Sequence, residues 1–182
     1  LKGIMNAVRP NAHVVYFHST PDNAQDVTKA LEQLEELKQQ RLKDGIDFSN
    51  GKTEHRQLEI FILDESQEYF EPKNKKNVPT PSSPKAVKTA NIMQDSCQAG
   101  IIVIIATTNI TPTALPAPIR DQTNIKICAN VRTINQIELI LGRKPTKLDP
   151  KPINLPPGRM TISDSNQNWE QVDIYSPRIF QG

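Results

Sequence analysis

Two adjacent carboxylates, Asp64 and Glu65, are the residues best placed to do chemistry. They close the apolar run Leu58-Glu59-Ile60-Phe61-Ile62-Leu63. If that run is a strand of an open parallel sheet, its carboxyl end lies at the edge where such sheets bind ligands. A carboxylate held there can bind Mg²⁺, usually through water, beside the phosphates of a nucleotide. Its neighbour can orient a water for in-line attack on phosphorus. An apolar strand ending in Asp-Glu has the form of a Walker B motif with its following glutamate. A plainer reading also stands on these residues alone: a buried strand surfacing where acidic residues are common.

A second string, Ile101-Ile102-Val103-Ile104-Ile105-Ala106-Thr107-Thr108-Asn109, repeats the pattern with small polar residues at its end. Beside the first strand, Thr108 or Asn109 could hydrogen-bond a terminal phosphate or the attacking water, with Thr107 on the same rim. An ordinary turn after a core strand reads the same way. Between the two strings lie Lys73, Lys75, Lys76, Lys85 and Lys88, with Glu71 the only nearby acid. Such a segment can meet the phosphates of double-stranded DNA, a contact that weakens with salt. It can equally be a solvated Pro/Lys loop. Without loop-borne aromatics for stacking, the nucleic-acid backbone is the expected target and base readout is not. His13, His18 and His55 are scattered and have no ligand partners at useful spacing.

These residues need a scaffold to position them. A chain of 182 residues supports one ordinary domain with a real core and is short for two. Its 22 Lys+Arg against 20 Asp+Glu leave a net charge of +2, so any basic surface must be local. Two cysteines, Cys97 and Cys128, cannot build a disulfide framework, and a reducing, cytoplasmic compartment is the expectation. Ile101–Ala106 is the longest apolar run, far short of a membrane span.

Four short Val/Ile-rich runs, His13–Phe17, Leu58–Leu63, Ile101–Ala106 and Ile125–Ala129, mostly lack alternation. That suits parallel strands covered on both faces. Val27, Ala30, Leu31, Leu34 and Leu37 recur at three and four, predicting a helix with Thr20 as N-cap, Pro21 at its first position and Gly45 as its stop. A second helix is predicted from Ser83-Pro84 to about Gln98, with Ala86, Ala90, Met93 and Cys97 on one face and Gly100 at its end. A third spans Ile134–Leu141 between Thr133 and Gly142. After the turn Leu155-Pro156-Pro157-Gly158, the runs Arg159–Ser163 and Gln171–Tyr175 predict a terminal β-hairpin around Asp164–Asn168. Trp169 reads as a packing residue. The order of elements predicts an α/β fold with a mainly parallel sheet.

Three features in this order resemble the motor domain of FtsK/SpoIIIE/HerA-type ATPases. They are the strand with Asp64 and Glu65, the Ala-Gly-Ile-Ile-Val-Ile-Ile-Ala-Thr string at 99–107, and Leu155-Pro156-Pro157-Gly158. Ala106 to Gly142 can be laid on the family pattern without a gap, with Ile119, Ile127, Val131, Ile140 and Leu141 matching in kind. The resemblance covers roughly Leu1–Met160. It implies a RecA-like three-layer domain over 1–160, with 161–182 as its C-terminal hairpin and tail. It further implies a hexameric ring that moves double-stranded DNA using ATP and Mg²⁺. By position, Asp64 would help hold Mg²⁺ and Glu65 would activate water. Thr108 stands where the family has a sensor glutamine, and Thr107 and Asn109 flank it at the nucleotide. Arg120 and Lys126 stand where the family has basic residues near the subunit interface.

Two departures qualify the resemblance. The family's Gln-Arg-Pro is Thr108-Asn109-Ile110 here. No Gly-x4-Gly-Lys-Ser/Thr loop is present, although phosphates need its backbone N–H groups and helix dipole. Gly45…Gly51-Lys52-Thr53 fails the pattern, because five residues separate the glycines and a strand follows. Family order puts that loop before Leu1–Val8, which then reads as the tail of its helix. The chain is therefore expected to begin inside a longer protein, and these residues by themselves to be catalytically silent. A hydrolysis-deficient structural module of the same fold, and a related secretion or conjugation motor, are the alternative readings.

Overall fold

The computed structural model describes residues 12–52, 57–70 and 84–173. The chain divides into two compact units: Leu1–Asn109 with Thr113–Gln122, and Ile110–Pro112 with Thr123–Gly182. Leu1–Val8, His55, Lys73, Lys75 and Lys76 lie outside the described residues. Among the described residues no helix is long and apolar enough to cross a membrane.

In the first unit, β1 (Ala12–His18), β2 (Leu58–Asp64) and β3 (Ile101–Ile105) form a parallel sheet in the order β1-β2-β3. The register sets Val15 beside Phe61 and Phe61 beside Val103, and it brings His18 opposite Asp64 at the carboxyl end. Because side chains alternate along a strand, Phe61, Leu63 and Ile101 share one face and enter the core, with Val15, Phe17, Val103 and Ile105 packed against them. The sequence predicts cover on both faces; on the opposite one, Ile102 and Ile104 are 39% and 43% exposed.

Helix α1 (Ala24–Lys43) covers the core face, with Val27, Leu31 and Leu34 buried. Burying each such side chain contributes about 1.5–3 kcal/mol. The helix begins later than the capping pattern predicts. Thr20 and Asn23 bond each other's backbone N–H groups in a turn, and Asn23 stands at the N-cap. Gly45 follows the C-cap in the left-handed region, φ 75°, and stops the helix as expected.

The apolar stripe of α1 continues into two buried cations. Lys38 donates to the carbonyls of Asn91 (2.6 Å) and Gln94 (3.2 Å) at the end of the next long helix. Arg41 donates to Ala99 O and Gln57 O, both 3.0 Å, and to Glu59 Oε1 at 3.2 Å. Carbonyls and the Glu35 and Glu59 carboxylates surround these buried cations, as burial demands.

Two short helices escape the sequence pattern: α2 (Gln67–Phe70) and α4 (Ala117–Gln122). Between them α3 (Pro84–Met93) starts where expected but stops short of Gln98, giving way to turns that reach Gly100. Its buried face is Ala86, Thr89, Ala90 and Ile92, and Cys97 is exposed. The spacing puts Cys97 on the packed face, but the helix has ended by then and the turns bury Ser96 and Ala99 in its place.

In the second unit β4 (Lys126–Cys128), β5 (Arg159–Ser163) and β6 (Trp169–Asp173) form an antiparallel sheet, β4-β5-β6. The hairpin is the one predicted, with its second strand beginning at Trp169. The run Ile125–Ala129 joins this sheet and not the parallel one, and Ile127 is 56% exposed. A run so short carries no periodicity that could choose its partner.

Helix α5 (Ile134–Leu141) has both boundary signals predicted. Thr133 and Gln136 form a capping box, and Gly142 closes the helix at φ 91°. Ile137 and Leu141 pack with Cys128 and Val131, and Trp169 lies against them. Arg143 stacks 4.2 Å over the Trp169 ring while forking onto Asp149 at 2.6 and 2.8 Å. Burial pushes the Cys128 thiol up to about 11, so it stays a neutral packing group.

Gly100 joins two constraints. Its φ is +70°, and an added Cβ would fall 2.2 Å from Phe48 Cε2. Gly100→Ala should cost about 2–4 kcal/mol through left-handed strain plus overpacking. Urea unfolding that shows a loss below 0.5 kcal/mol would refute this account of the turn.

Candidate active site

The end of β2 is held from both sides. Ser19 N donates to Asp64 O at 2.8 Å, which extends the β1 pairing past the strand. On the other side Ala106 N donates to Leu63 O and Ser66 N to Ala106 O, each at 2.9 Å. Between these anchors the chain turns sharply, and Glu65 occupies the left-handed region at φ 50°. A non-glycine residue there is uncommon and strained.

Asp64 is half-buried, and both its oxygens have donors. Glu65 N reaches Oδ1 at 3.0 Å, and Tyr16 Oη donates to Oδ2 at 2.9 Å. That bond to a carboxylate raises the Tyr16 phenol above its ordinary value, so it remains a donor at neutral pH. His18 Nδ1 lies 3.8 Å from the same Oδ2.

Glu65 points along the rim toward β3. Thr108 Oγ1 donates to its Oε2 at 2.8 Å, and Gln67 Nε2 donates to that same oxygen. These two bonds, Gln67 first, hold the carboxyl below the usual glutamate range. The group is therefore ionised at neutral pH. It is a weak proton acceptor and a strong hydrogen-bond acceptor, which suits it to orienting water.

Thr107 donates to Gln67 Oε1 at 2.6 Å and accepts from Asn109 N at 3.1 Å. The structure thus brings Asp64, Glu65, Thr107, Thr108 and Asn109 together at one end of the parallel sheet. Sequence reasoning passed over Gln67 and Tyr16. Tyr16 sits two residues before His18, the register partner of Asp64, and this alternation was its only signal.

The other predicted residues have surroundings of their own. Arg120 stands in the last turn of α4, and its Nε is buried with no hydrogen-bond partner. Lys126 belongs to the second unit, where its Nζ donates to Thr123 O at 3.0 Å. Lys85 is engaged within the fold: its Nζ lies 4.4 Å over the Tyr69 ring and 3.3 Å from Tyr69 O, and burial lowers its pKa. Neighbouring Lys88 pairs with Glu32 at 2.6 Å.

Among the described residues no group of three or more His, Cys, Asp or Glu side chains could cage a metal ion. A lone hard carboxylate fits Mg²⁺ all the same, because that ion keeps several waters and takes its remaining oxygens from substrate phosphates.

No known family profile matches this chain, and no curated protein does. Solved structures do. The pCW3 conjugation coupling protein TcpA, solved with ATPγS, superposes with a TM-score of 0.57 at 15% identity, over 85% of this chain and 44% of TcpA. ATPases 2 and 3 of EssC from Geobacillus thermodenitrificans give 0.56 at 16% identity, over 91% of this chain and 33% of EssC. The genome packaging NTPase B204 of Sulfolobus turreted icosahedral virus 2, in complex with ATPγS, gives 0.54 at 14% identity, over 95% of this chain and 87% of B204. The chain shares its fold with these three solved structures. The chain spans less than half the length of TcpA and of EssC.

The backbone at Glu65 supplies a check on this geometry. At an ordinary position glycine is the less stable replacement. In the left-handed region the order reverses, so Glu65→Gly should be more stable than Glu65→Ala by about 1 kcal/mol. Equal or inverted stabilities in thermal unfolding would mean that the turn is not as described.

Proposed function

We propose that this chain belongs to an ATP-driven motor that moves double-stranded DNA. The observation that carries the reading is the pair at the tip of β2. There an ionised Glu65, anchored through Oε2, stands beside Asp64 at the carboxyl end of a parallel sheet with a P-loop ATPase fold. The fold neighbours TcpA, a conjugation coupling protein, and B204, a genome packaging NTPase, were each solved with ATPγS.

In this reading Asp64 would hold hydrated Mg²⁺, which would supply charge neutralisation at the nucleotide's phosphates. Glu65 orients the attacking water along the line of the breaking bond. Thr108 steadies Glu65 and senses the departing phosphate, with Thr107 and Asn109 lining the same rim. Arg120 and Lys126 would serve a neighbouring subunit's nucleotide in a hexameric ring. Arginine is the better suited to developing phosphoryl charge, through its planar fork. Lys73, Lys75, Lys76 and Lys85 would approach the DNA backbone, although Lys85 must first leave Tyr69.

In the full-length protein, Glu65→Gln should lower ATP turnover by about 10²–10⁴-fold, the usual worth of a positioned base, with nucleotide affinity unchanged. Turnover that survives would remove Glu65 from its role. Duplex DNA should stimulate the wild-type rate, and the stimulation should fade as salt rises. Stimulation by a polypeptide in place of DNA would mark a secretion motor.

A further inference from the structure

We propose that Gln67 is a positioning residue that fixes which oxygen of Glu65 faces the attacking water; this rests on the role given to Glu65 above. Gln67 opens the short helix α2 and is only 9% exposed. Its side-chain amide bridges the ends of two strands. Nε2 donates to Glu65 Oε2, and Oε1 accepts from Thr107 Oγ1 at 2.6 Å.

The direction of the amide follows from the Glu65 carboxylate, which is ionised and can only accept. The NH₂ end therefore faces Glu65, and Oε1 is left to accept from Thr107 Oγ1 at 2.6 Å, closer than the Asn109 carbonyl at 3.0 Å. A flipped amide would set a carbonyl against the Glu65 carboxylate.

The consequence lies at Glu65. Both of its side-chain donors, Gln67 and Thr108, land on Oε2. No partner among the described residues is recorded for Oε1, so that atom is the one open to water. Thr108 alone could not fix the choice, because a single hydroxyl rotates and leaves the carboxylate free to turn about its last torsion. The second donor, rigid and buried, removes that freedom. The ionisable groups facing Glu65 are Asp64 from β2 and His18 from the end of β1. Neither donates to it, so Gln67 is the part of the surroundings that sets direction.

The test uses the full-length protein. Gln67→Met keeps the volume and removes both bonds. It should lower kcat about 10- to 100-fold, as expected for a misplaced catalytic group, with KM for ATP and nucleotide affinity within about twofold. If that variant fails to fold, Gln67→Glu keeps an acceptor for Thr107 but sets a second carboxylate against Glu65 in place of the donor, and a kcat loss at least as large is expected. In a Glu65→Gln background, Gln67→Met should change the residual rate less than about twofold, because the two act as a unit. Independently of turnover, the ¹⁵N spectrum should show one Gln67 Nε2 proton displaced downfield by the carboxylate, and Glu65→Ala should return it to the free-amide position.

A free-amide signal in the wild type overturns the inference. So does a kcat loss matched by an equal loss of nucleotide affinity, which would make Gln67 merely structural. Turnover lost with Glu65→Gln but kept with Gln67→Met overturns this inference alone. Turnover kept with both removes Glu65 from its role and this inference with it.

Discussion

Everything at the candidate site depends on how the last residues of β2 are tied to the strands beside them. Ser19 N holds the Asp64 carbonyl from one side, and Ala106 holds Leu63 and Ser66 from the other. Parallel strands offer only evenly spaced, slanted bonds, so a central strand gains its definition from having two neighbours. Here that definition continues one residue beyond the strand. The turn can then hold Glu65 at a positive φ that an unsupported chain would relax.

The two carboxylates emerge from this turn with different surroundings. Asp64 stays close to the sheet, fastened by its own following amide and by Tyr16 from β1. Glu65 swings toward β3 and is fastened by Thr108 and Gln67. Each acid therefore answers to a different neighbouring strand. The two adjacent carboxylates turn to separate donors, and those on Glu65 outweigh the opposing influence of Asp64 on its pKa. An ion-holding group and a water-orienting group need such an arrangement.

Much of this was legible in the sequence where one local signal sufficed. Apolar runs marked all three parallel strands, and the Thr133–Gly142 boundaries of α5 were readable because capping chemistry is local. Asp64, Glu65, Thr107 and Thr108 were found because each ends an apolar run. Signals failed where distant partners decide. Ile125–Ala129 was read with the parallel strands, yet its partner is a hairpin strand more than thirty residues later in the chain. Thr20-Pro21 looked like a helix start, but the Thr20–Asn23 turn satisfies the same donors one turn earlier. Gln67 could not be found at all. A lone glutamine after Asp-Glu-Ser has no pattern, and only the fold shows that its amide fits between two strand ends.

The two ends of the parallel sheet are also fastened by different chemistry. At its amino end the Arg41 guanidinium gathers the carbonyls of Gln57 and Ala99. Carbonyls carry no ionisable proton, and the guanidinium keeps its charge at every accessible pH. At the carboxyl end Glu65 closes the rim as an anion whose folded-state pKa is lowered. Its contribution is intact above the unfolded glutamate value and disappears as pH falls through the lower folded one. Acidification therefore loosens the rim at Glu65, while at the amino end the Arg41 guanidinium keeps its charge and its carbonyl bonds.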